Sequence, residues 1–323
     1  MAIQWFPGHM HLTRQAIAER VKAVDVVIEM LDARLPGSSA NPMLAELTQA
    51  KPKLKLLSKQ DLADPLQTEA WLAHYQTQDQ THAIALDAKH QAPVKTLLEA
   101  CRRLAPTRGE SLTKPMRVLI CGIPNVGKST LLNRMIGKTA AKAADEAGVT
   151  KQEMRYALTD AFYLYDTPGV LWPRIIVAQT GFNLAASGAI GRNAFDDIEV
   201  ALVMLDYLKT HYPQSLQSRY KLGQDGKEAS DPNQWDEEAL LARIGKSRGG
   251  LLSGGRVDLQ KAAEAAIHDF RSGALGRVSL ETPQEFAQWL ALGEELDAER
   301  AVRKEAFAQA KAAQRKSGQK KRW

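Results

Sequence analysis

The chain has 323 residues, of which 44% are hydrophobic and 25% charged, a composition typical of a soluble globular protein with one large or two ordinary domains. No apolar run reaches the ~18 residues of a membrane-spanning helix, and the first residues lack the basic and apolar segments of a signal peptide. The net charge of +6 permits a nucleic-acid partner without requiring one, and the two cysteines have no metal-ligand spacing, so we expect a reduced, cytoplasmic protein.

Five short apolar runs are typical of buried parallel strands. In chain order they are Val24–Leu31, Leu54–Leu57, Ala83–Leu86, Arg117–Cys121 and Phe162–Tyr165. Helical patterns fall between most of them, at Ala40–Gln49, Thr68–Gln76, Pro93–Leu104 and Ser129–Ile136. Strands that alternate with helices predict an α/β fold with a mostly parallel, doubly wound sheet. Binding loops of such a sheet lie at the carboxyl ends of its strands.

The strand pattern stops after about residue 175. Four helical segments follow, Asp197–His211, Glu237–Ile244, Asp258–Phe270 and Pro283–Ala313, with a predicted loop at Gly223–Asn233. We therefore predict an α/β domain over residues 1–175, including an N-terminal segment 1–23, and an all-α domain over 176–290. Residues 291–323 form a basic tail, helical to disordered, which either contacts RNA or is simply solvated.

A phosphate-binding loop follows the fourth predicted strand. Gly122-Ile-Pro-Asn-Val-Gly-Lys-Ser129 has the Gly-x-x-x-x-Gly-Lys-Ser pattern and lies between a strand and a helix, as this motif requires. Its glycines let backbone N–H groups face phosphate oxygens, and the helix N-terminus adds partial positive charge. We expect Lys128 to bridge the β- and γ-phosphates and Ser129 to bind Mg²⁺. The nucleotide-binding residues predicted from this loop are Asn125, Val126, Gly127, Lys128, Ser129 and Thr130.

Two further segments belong to the same predicted site. Asp166-Thr-Pro-Gly169 follows the strand Phe162–Tyr165, so Asp166 can hold Mg²⁺ and the Gly169 N–H can approach the γ-phosphate. Thr150 lies between the two motifs and is the candidate for a switch threonine that closes on Mg²⁺. An ordinary loop threonine is the alternative interpretation of Thr150.

A third motif points to guanine. Ser58-Lys-Gln-Asp61 follows the strand Leu54–Leu57 and is similar to the Asn-Lys-x-Asp motif, with Ser58 in place of asparagine. A carboxylate at Asp61 accepts from both N–H groups of guanine, which adenine cannot match. Ser58 lacks the amide that would brace the site, so we expect weaker affinity. The predicted base-binding residues are Ser58, Lys59, Gln60 and Asp61, and Leu86, Asp87 and Ala88 for a backbone N–H to guanine O6.

The order of these motifs is also informative. The base motif precedes the phosphate loop, the reverse of ordinary G proteins, so the domain is circularly permuted. Longer segments then resemble the ribosome biogenesis GTPase A family, the YlqF-type circularly permuted GTPases. The resemblance covers nearly the whole chain and rests on Trp5–Met10, Asp32–Pro42, Gly122–Thr130, Asp166–Gly169 and Asp269–Arg277. The chain departs from the family pattern at Ser58, at Gly37 and in the basic tail after about residue 290.

The resemblance implies a circularly permuted P-loop GTPase domain followed by an all-α C-terminal domain that contacts rRNA. It also implies a cytoplasmic GTPase that acts in late assembly of the large (50S) ribosomal subunit, with GTP as substrate and Mg²⁺ as cofactor. We expect no membrane span and no DNA partner.

Hydrolysis needs a group that orients water, and Val170 and Leu171, which follow Gly169, cannot hold one. His9 is the candidate catalytic residue, because Phe6-Pro-Gly-His9 is a turn-forming segment and the family's catalytic histidine belongs to this motif. Read from the sequence alone, a single histidine near the N-terminus is more often structural or solvated. Asn125 is a candidate ligand for K⁺, or it merely caps the loop.

Three other functions remain open. The chain could be a GTP-gated RNA-binding module in which hydrolysis is incidental. It could be an ATPase of P-loop type, which Asp61 argues against. It could be a tRNA-modifying GTPase, although the sequence contains no catalytic cysteine or cofactor motif that would support this function.

Overall fold

The structure is a computed structural model that describes residue 3 and residues 9–87, 94–136, 154–222, 235–250, 252 and 256–320. For residues 9, 136, 154 and 310–320 it describes the backbone alone. The predicted loop Gly223–Asn233 and the predicted site residues Ala88 and Thr150 lie wholly outside these ranges.

The described strands form a single sheet of six strands in the order β3-β2-β1-β4-β6-β5. Their bounds are Val26–Asp32 (β1), Lys53–Ser58 (β2), Thr81–Ala85 (β3), Met116–Gly122 (β4), Met154–Thr159 (β5) and Phe162–Asp166 (β6). Neighbouring strands are parallel except for β5, which pairs antiparallel with β6 at the edge. The predicted α/β fold class with a mostly parallel sheet is confirmed.

The five predicted strands correspond to β1–β4 and β6, and β5 was not predicted. The central strands are almost entirely buried, so their sequences are mostly apolar, a pattern that is easily recognised in a sequence. β5 lies at the edge, and its apolar residues Tyr156 and Leu158 alternate with exposed ones and only partly contact the core. Such a period-2 pattern over six residues is a weaker signal.

Six helices in the described part of residues 1–166 accompany the sheet. They are His9–Ala23 (α1), Pro36–Ser39 (α2), Pro42–Leu47 (α3), Pro65–Gln76 (α4), Val94–Leu104 (α5) and Lys128–Ile136 (α6). The helix predicted at Ala40–Gln49 begins later than expected, because the Asn41 side chain accepts from the backbone N–H groups of Met43 and Leu44 and caps α3. α1 was not predicted, although its buried residues Met10, Thr13, Ile17 and Val21 have the spacing of one helix face.

The elements described in the C-terminal region are helices joined by loops. Its helices are Ala178–Ser187 (α7), Asp197–His211 (α8), Pro213–Tyr220 (α9), Glu237–Ser247 (α10), Leu259–Ser272 (α11) and Pro283–Lys320 (α12), with a short 3₁₀ turn at Arg192–Ala194. Aspartates 196, 236 and 258 cap α8, α10 and α11, which explains why those three helices were predictable. α7 and α9 were not predicted, and α12 runs seven residues past the predicted Ala313.

A continuous hydrophobic core joins the sheet to the C-terminal helices. Ile28 of β1 and Ile120 of β4 belong to the same buried cluster as Leu184 of α7 and Ile267 of α11. The helical region therefore packs directly on the α/β region. In the described part of the chain, no helix has both the length and the apolar character to cross a bilayer.

Candidate nucleotide-binding site

The phosphate loop lies between the end of β4 and the start of α6. A β-carbon at Gly122, where φ is +153°, would lie 2.6 Å from the Met30 carbonyl oxygen of neighbouring β1. Asn125 and Gly127 also have positive φ, +56° and +105°, and a β-carbon at Gly127 would meet no described atom within 4 Å. Left-handed residues turn successive N–H groups toward a common concavity. The backbone thus has the form of an anion-binding loop with open space at Gly127.

Lys128 places its charge inside this loop. Its Nζ donates to the Ile123 carbonyl at 3.0 Å and lies 3.3 Å from the Gly122 carbonyl, and the residue is 8% exposed. Burial lowers the pKa of Lys128, and the nearby Asp166 carboxylate opposes that shift. A buried ammonium that donates to carbonyl groups of the phosphate loop is placed to bind phosphate oxygens.

The Asp166–Gly169 segment lies against the phosphate loop. The Thr167 hydroxyl donates to the Ile120 carbonyl at 3.0 Å, and the Val170 N–H donates to the Gly122 carbonyl at 3.1 Å. A β-carbon at Gly169 would lie 2.7 Å from Pro124 Cα and 3.1 Å from Lys128 Nζ. The glycine therefore lets the two predicted phosphate motifs touch.

Asp166 ends β6 beside the phosphate loop, paired in register with Ile120 of β4. Its Oδ1 is buried and has no hydrogen-bond partner among the described residues. Burial raises the pKa of Asp166 to about 6, and the Lys128 charge partly opposes this. Ser129 is exposed at the first turn of α6. An orphaned carboxylate oxygen and an exposed hydroxyl at this loop are hard oxygen donors, which fit Mg²⁺.

The base-recognition loop, residues 59–64, begins where β2 ends. The Ser58 hydroxyl lies 2.9 Å from the Leu31 carbonyl and 2.6 Å from the Val126 carbonyl of the phosphate loop. Although Ser58 lacks the amide of asparagine, its hydroxyl contacts both neighbouring segments, and the weaker affinity expected at this site stays a prediction. No described residue donates a hydrogen bond to the Asp61 carboxylate.

Lys59, by contrast, is held on the side of the loop that faces β1. Its φ is +59°, and its Nζ donates to Asp32 Oδ2 at 2.8 Å. Although burial alone would raise it, the Arg34 and Lys59 charges hold the pKa of Asp32 well below its usual range. A depressed pKa keeps the carboxylate ionised, so Lys59 remains paired.

Arg34 links this ion pair to the C-terminal helices. It bonds both carboxylate oxygens of Asp32, at 2.9 and 2.8 Å, and its Nη1 donates to the Phe270 carbonyl at 3.0 Å. Its guanidinium carbon lies 4.4 Å from the centre of the Phe270 ring. Asp32 and Arg34 belong to the Asp32–Pro42 segment, for which no role of either residue was predicted. The feature that could have indicated such a role is the presence of two charged residues, Asp32 and Arg34, at the end of a mostly apolar strand.

Asn41 was also missed, and it holds the segment after Gly169. Its Nδ2 donates to the Val170 carbonyl at 2.9 Å, and its backbone N–H donates to Glu29 Oε1 at 3.0 Å. Glu29 in turn pairs with Lys55 at 2.6 Å, with both side chains buried. An asparagine before a proline predicts a helix cap, but no local pattern indicates the contact with Val170.

The other predicted residues are distributed around this centre. The N–H of Leu86 donates to the Leu57 carbonyl at 2.8 Å, so the chain after β3, which continues to Asp87, runs alongside β2. Asn125 is exposed, and its Nδ2 donates to the Gly188 carbonyl at 2.7 Å. Thr130 is exposed on α6. Thr150, Ala88 and the His9 side chain lie outside the described residues, and His9 contributes the first backbone position of α1.

Val170 and Leu171 are fully buried. Neither side chain carries a polar group, so the position after Gly169 cannot orient a water molecule, as the sequence indicated.

Comparison with known proteins agrees with this geometry. Residues 117–231 match the family described as "50S ribosome-binding GTPase". The chain is 38% identical to ribosome biogenesis GTPase A of Bacillus cereus, over 89% of this chain and 96% of the relative. It is 38% identical to the protein of the same name from Priestia megaterium, over 89% and 99%. A GDP-bound structure of T. maritima YlqF superposes with a TM-score of 0.58 at 25% identity, over 83% of this chain and 99% of that one.

Identity at this level over nearly the full length of both chains establishes common descent, and the shared topology has the base motif before the phosphate loop. The chain belongs to the ribosome biogenesis GTPase A family, and its circularly permuted P-loop domain is that of a GTP hydrolase.

Proposed function

We propose that this protein is a cytoplasmic assembly factor for the large ribosomal subunit, and that the ribosomal particle stimulates its hydrolysis of GTP. The nucleotide part of the proposal rests on one observation. The base-recognition loop, the phosphate loop and the Asp166–Gly169 segment meet at one edge of the sheet, where Ser58 contacts Val126 and Gly169 contacts Pro124. The ribosomal part is supported by the family description and by the names of the relatives.

Each loop has a role in this proposal. Lys128 neutralises the β- and γ-phosphates, the N–H groups of Val126, Gly127 and Thr130 face phosphate oxygens, and the Gly169 N–H approaches the γ-phosphate. Asp61 accepts from the guanine edge, Lys59 and Gln60 lie beside the base, and Leu86 to Ala88 approach its O6 atom. A competition assay of GTP against ATP tests the base assignment. Equal affinities for the two nucleotides would refute it.

The residues that hold Mg²⁺ are Ser129, Asp166 and, when the switch closes, Thr150. When bound, Mg²⁺ neutralises charge that develops on the phosphate oxygens. Asp166 and Ser129 supply the oxygen donors for it, one buried and one exposed beside Lys128.

His9 is the proposed catalytic residue, because the side chains after Gly169 are apolar and buried. The imidazole would orient the attacking water once the particle has ordered the switch around Thr150. Asn125 would contribute its side-chain oxygen to K⁺, since its Nδ2 is already bonded to Gly188. Replacing K⁺ by Na⁺ should then lower the turnover rate, and an unchanged rate would exclude the cation.

The test of stimulation is GTP turnover with and without immature large subunits. Wild-type turnover should rise on addition of the particle. His9→Ala should lose most of the rise, while His11→Ala, two residues along α1, serves as the matched control. A His9→Ala variant with full particle-stimulated turnover would refute the catalytic assignment.

The C-terminal helices offer a basic surface for rRNA. A cavity of about 400 Å³ is lined by Arg219, Tyr220, Lys221, Arg243, Lys246, Ser247 and Arg248. Arg219 and Arg248 pair with Asp269, whereas Lys221 and Lys246 are exposed. Clustered Lys and Arg side chains attract the phosphate backbone of RNA. Lys221→Glu with Lys246→Glu should therefore weaken binding to large-subunit RNA, and unchanged binding would exclude this surface.

A GTP-gated RNA-binding module is the second candidate. The buried, apolar Val170 and Leu171 favour it, because neither side chain can orient or activate water at the position after Gly169. RNA binding that depends on GTP, with no stimulation by any large-subunit particle, would favour this second function.

A further inference from the structure

The base-recognition loop is enclosed by a segment of the C-terminal region, residues 276–281. The Val278 N–H donates to the Leu62 carbonyl at 3.0 Å. The Ser279 hydroxyl accepts from the Asp64 N–H at 3.2 Å. The Leu280 N–H donates to the Arg34 carbonyl at 2.7 Å. Because Val278, Ser279 and Leu280 are buried, this segment is a fixed support for the loop.

Arg277 donates two hydrogen bonds to the same loop. Its Nε donates to the Ala63 carbonyl at 2.9 Å, and its Nη2 donates to the Gln60 carbonyl at 3.1 Å. A planar guanidinium fixes the spacing of its two acceptors, which a lysine ammonium does not. Arg277 itself is exposed, so its removal leaves the hydrophobic core unchanged.

These contacts fall on both sides of Asp61. The carbonyl of the preceding residue, Gln60, is held by Arg277, and the carbonyl of the following residue, Leu62, is held by Val278. The Asp61 carboxylate accepts no hydrogen bond from any described residue. The loop also begins with Lys59 in a left-handed conformation that its β-carbon disfavours. The C-terminal segment therefore holds the loop backbone on both sides of Asp61, including the peptide that joins Gln60 to Asp61.

We propose that Arg277 is a positioning residue for guanine recognition, through which the helical C-terminal region helps to set the base specificity of the nucleotide site. The inference rests on the proposed role of Asp61 as the guanine-reading carboxylate. Under this proposal, a residue outside the G domain contributes to the choice of base.

The test compares GDP with inosine diphosphate (IDP), which lacks the 2-amino group of guanine and so loses one donor to Asp61. Affinities are measured by displacement of a fluorescent GDP analogue. Arg277→Ala should weaken GDP binding about fivefold, an effect of the size expected for a lost hydrogen bond, while IDP binding changes less. The ratio of the affinity for GDP to the affinity for IDP should therefore fall. Arg277→Lys, which cannot bridge two carbonyls at a fixed spacing, should give an intermediate ratio.

A purely structural role would give a different result. Both affinities would then fall by the same factor, the ratio would stay at the wild-type value, and the proposal would be overturned. Arg102→Ala on α5 is the matched control, since it also removes an exposed arginine. Melting temperatures of all variants show whether any change in ratio comes from a folded protein.

Asp61→Asn separates this inference from the function on which it depends. If Asp61→Asn abolishes the GDP preference and Arg277→Ala preserves it, the guanine site stands and the role of Arg277 is refuted. If Asp61→Asn leaves the preference intact, the guanine site itself is misassigned, and the inference fails with it.

Discussion

The hydroxyl oxygen of Ser58 lies 2.6 Å from the carbonyl oxygen of Val126, so the end of β2 is joined directly to the phosphate loop. The same hydroxyl is 2.9 Å from the Leu31 carbonyl of β1. A single side chain that is 2% exposed therefore connects the segment expected to read the base with the segment expected to hold phosphates.

Ser58→Ala should weaken GDP binding about fivefold, because one buried hydrogen bond between the two loops is lost and the Val126 carbonyl loses its partner. Equilibrium titration with a fluorescent GDP analogue measures the change. Ser111→Ala removes a hydroxyl from an exposed loop and should leave the affinity unchanged. Equal affinities for Ser58→Ala and wild type would show that the contact does not support nucleotide binding.

Asn41→Asp should lower particle-stimulated GTP turnover and leave GDP affinity within about twofold of wild type. A carboxylate still accepts from the N-terminal N–H groups of α3, so the cap persists. It cannot donate to the Val170 carbonyl, so the segment after Gly169 is released. Asn193→Asp, in the exposed 3₁₀ turn, is the control. Turnover equal to wild type in Asn41→Asp would refute a role for this contact in hydrolysis.

Glu281 gives the folded state a dependence on pH. It is completely buried, and its carboxylate accepts from the backbone N–H and hydroxyl of Ser38 and from the Asn183 amide. Burial raises the pKa of Glu281 to about 7 from a usual 4.5, although these hydrogen bonds lower it. The folded state therefore binds this proton more tightly than the unfolded state. The contribution of Glu281 to stability is fully present below pH 4.5 and is lost as pH rises through about 7.

Urea unfolding at pH 5, 6, 7 and 8 tests this. Relative to Glu281→Gln, which does not titrate, wild type should lose on the order of 3 kcal/mol between pH 5 and pH 8. Glu19→Gln, which alters an exposed pair with Lys22, should follow wild type. If the free energy of unfolding changed with pH in the same way for wild type and Glu281→Gln, the raised pKa of Glu281 would be contradicted.

The exposed part of α12 tests the RNA partner. Residues 298–309 are all exposed, and residues 298–323 carry nine Lys or Arg against two Glu. Deletion after Asp297, which keeps the ion pair between Arg174 and Asp297, should leave the melting temperature nearly unchanged. It should weaken binding to large-subunit RNA and reduce the salt dependence of that binding, because phosphate contacts are lost. An unchanged salt dependence would mean that the tail is only solvated.

The sheet and the phosphate loop were predictable because each leaves a local pattern. Buried central strands such as β1 and β4 are mostly apolar, and the Gly122–Ser129 spacing is rarely met by chance. The edge strand β5 and the helix α7 were missed. The six residues of β5 alternate weakly, and α7 has no side-chain cap to indicate its start.

The supports of the site could not be predicted from the sequence. The Arg34 guanidinium bonds a carbonyl 236 residues away, and Arg277 bonds one 214 residues away. Such pairings depend on how the helical region packs on the sheet, which no local pattern specifies. The contacts of the Ser58 hydroxyl were likewise not predicted. They depend on the Leu31 and Val126 carbonyl groups, which come close to Ser58 only in the folded chain.

The separation between Arg34 and Phe270 has a consequence for synthesis. The ion pair of Asp32 and Arg34 is covered by Phe270, which is made 236 residues later. At a translation rate of about 5–20 residues per second, this delay is on the order of 10–50 s. The base-recognition loop therefore lacks its covering helix until most of the chain has been made. A nascent chain acquires its complete nucleotide site only near the end of its own translation.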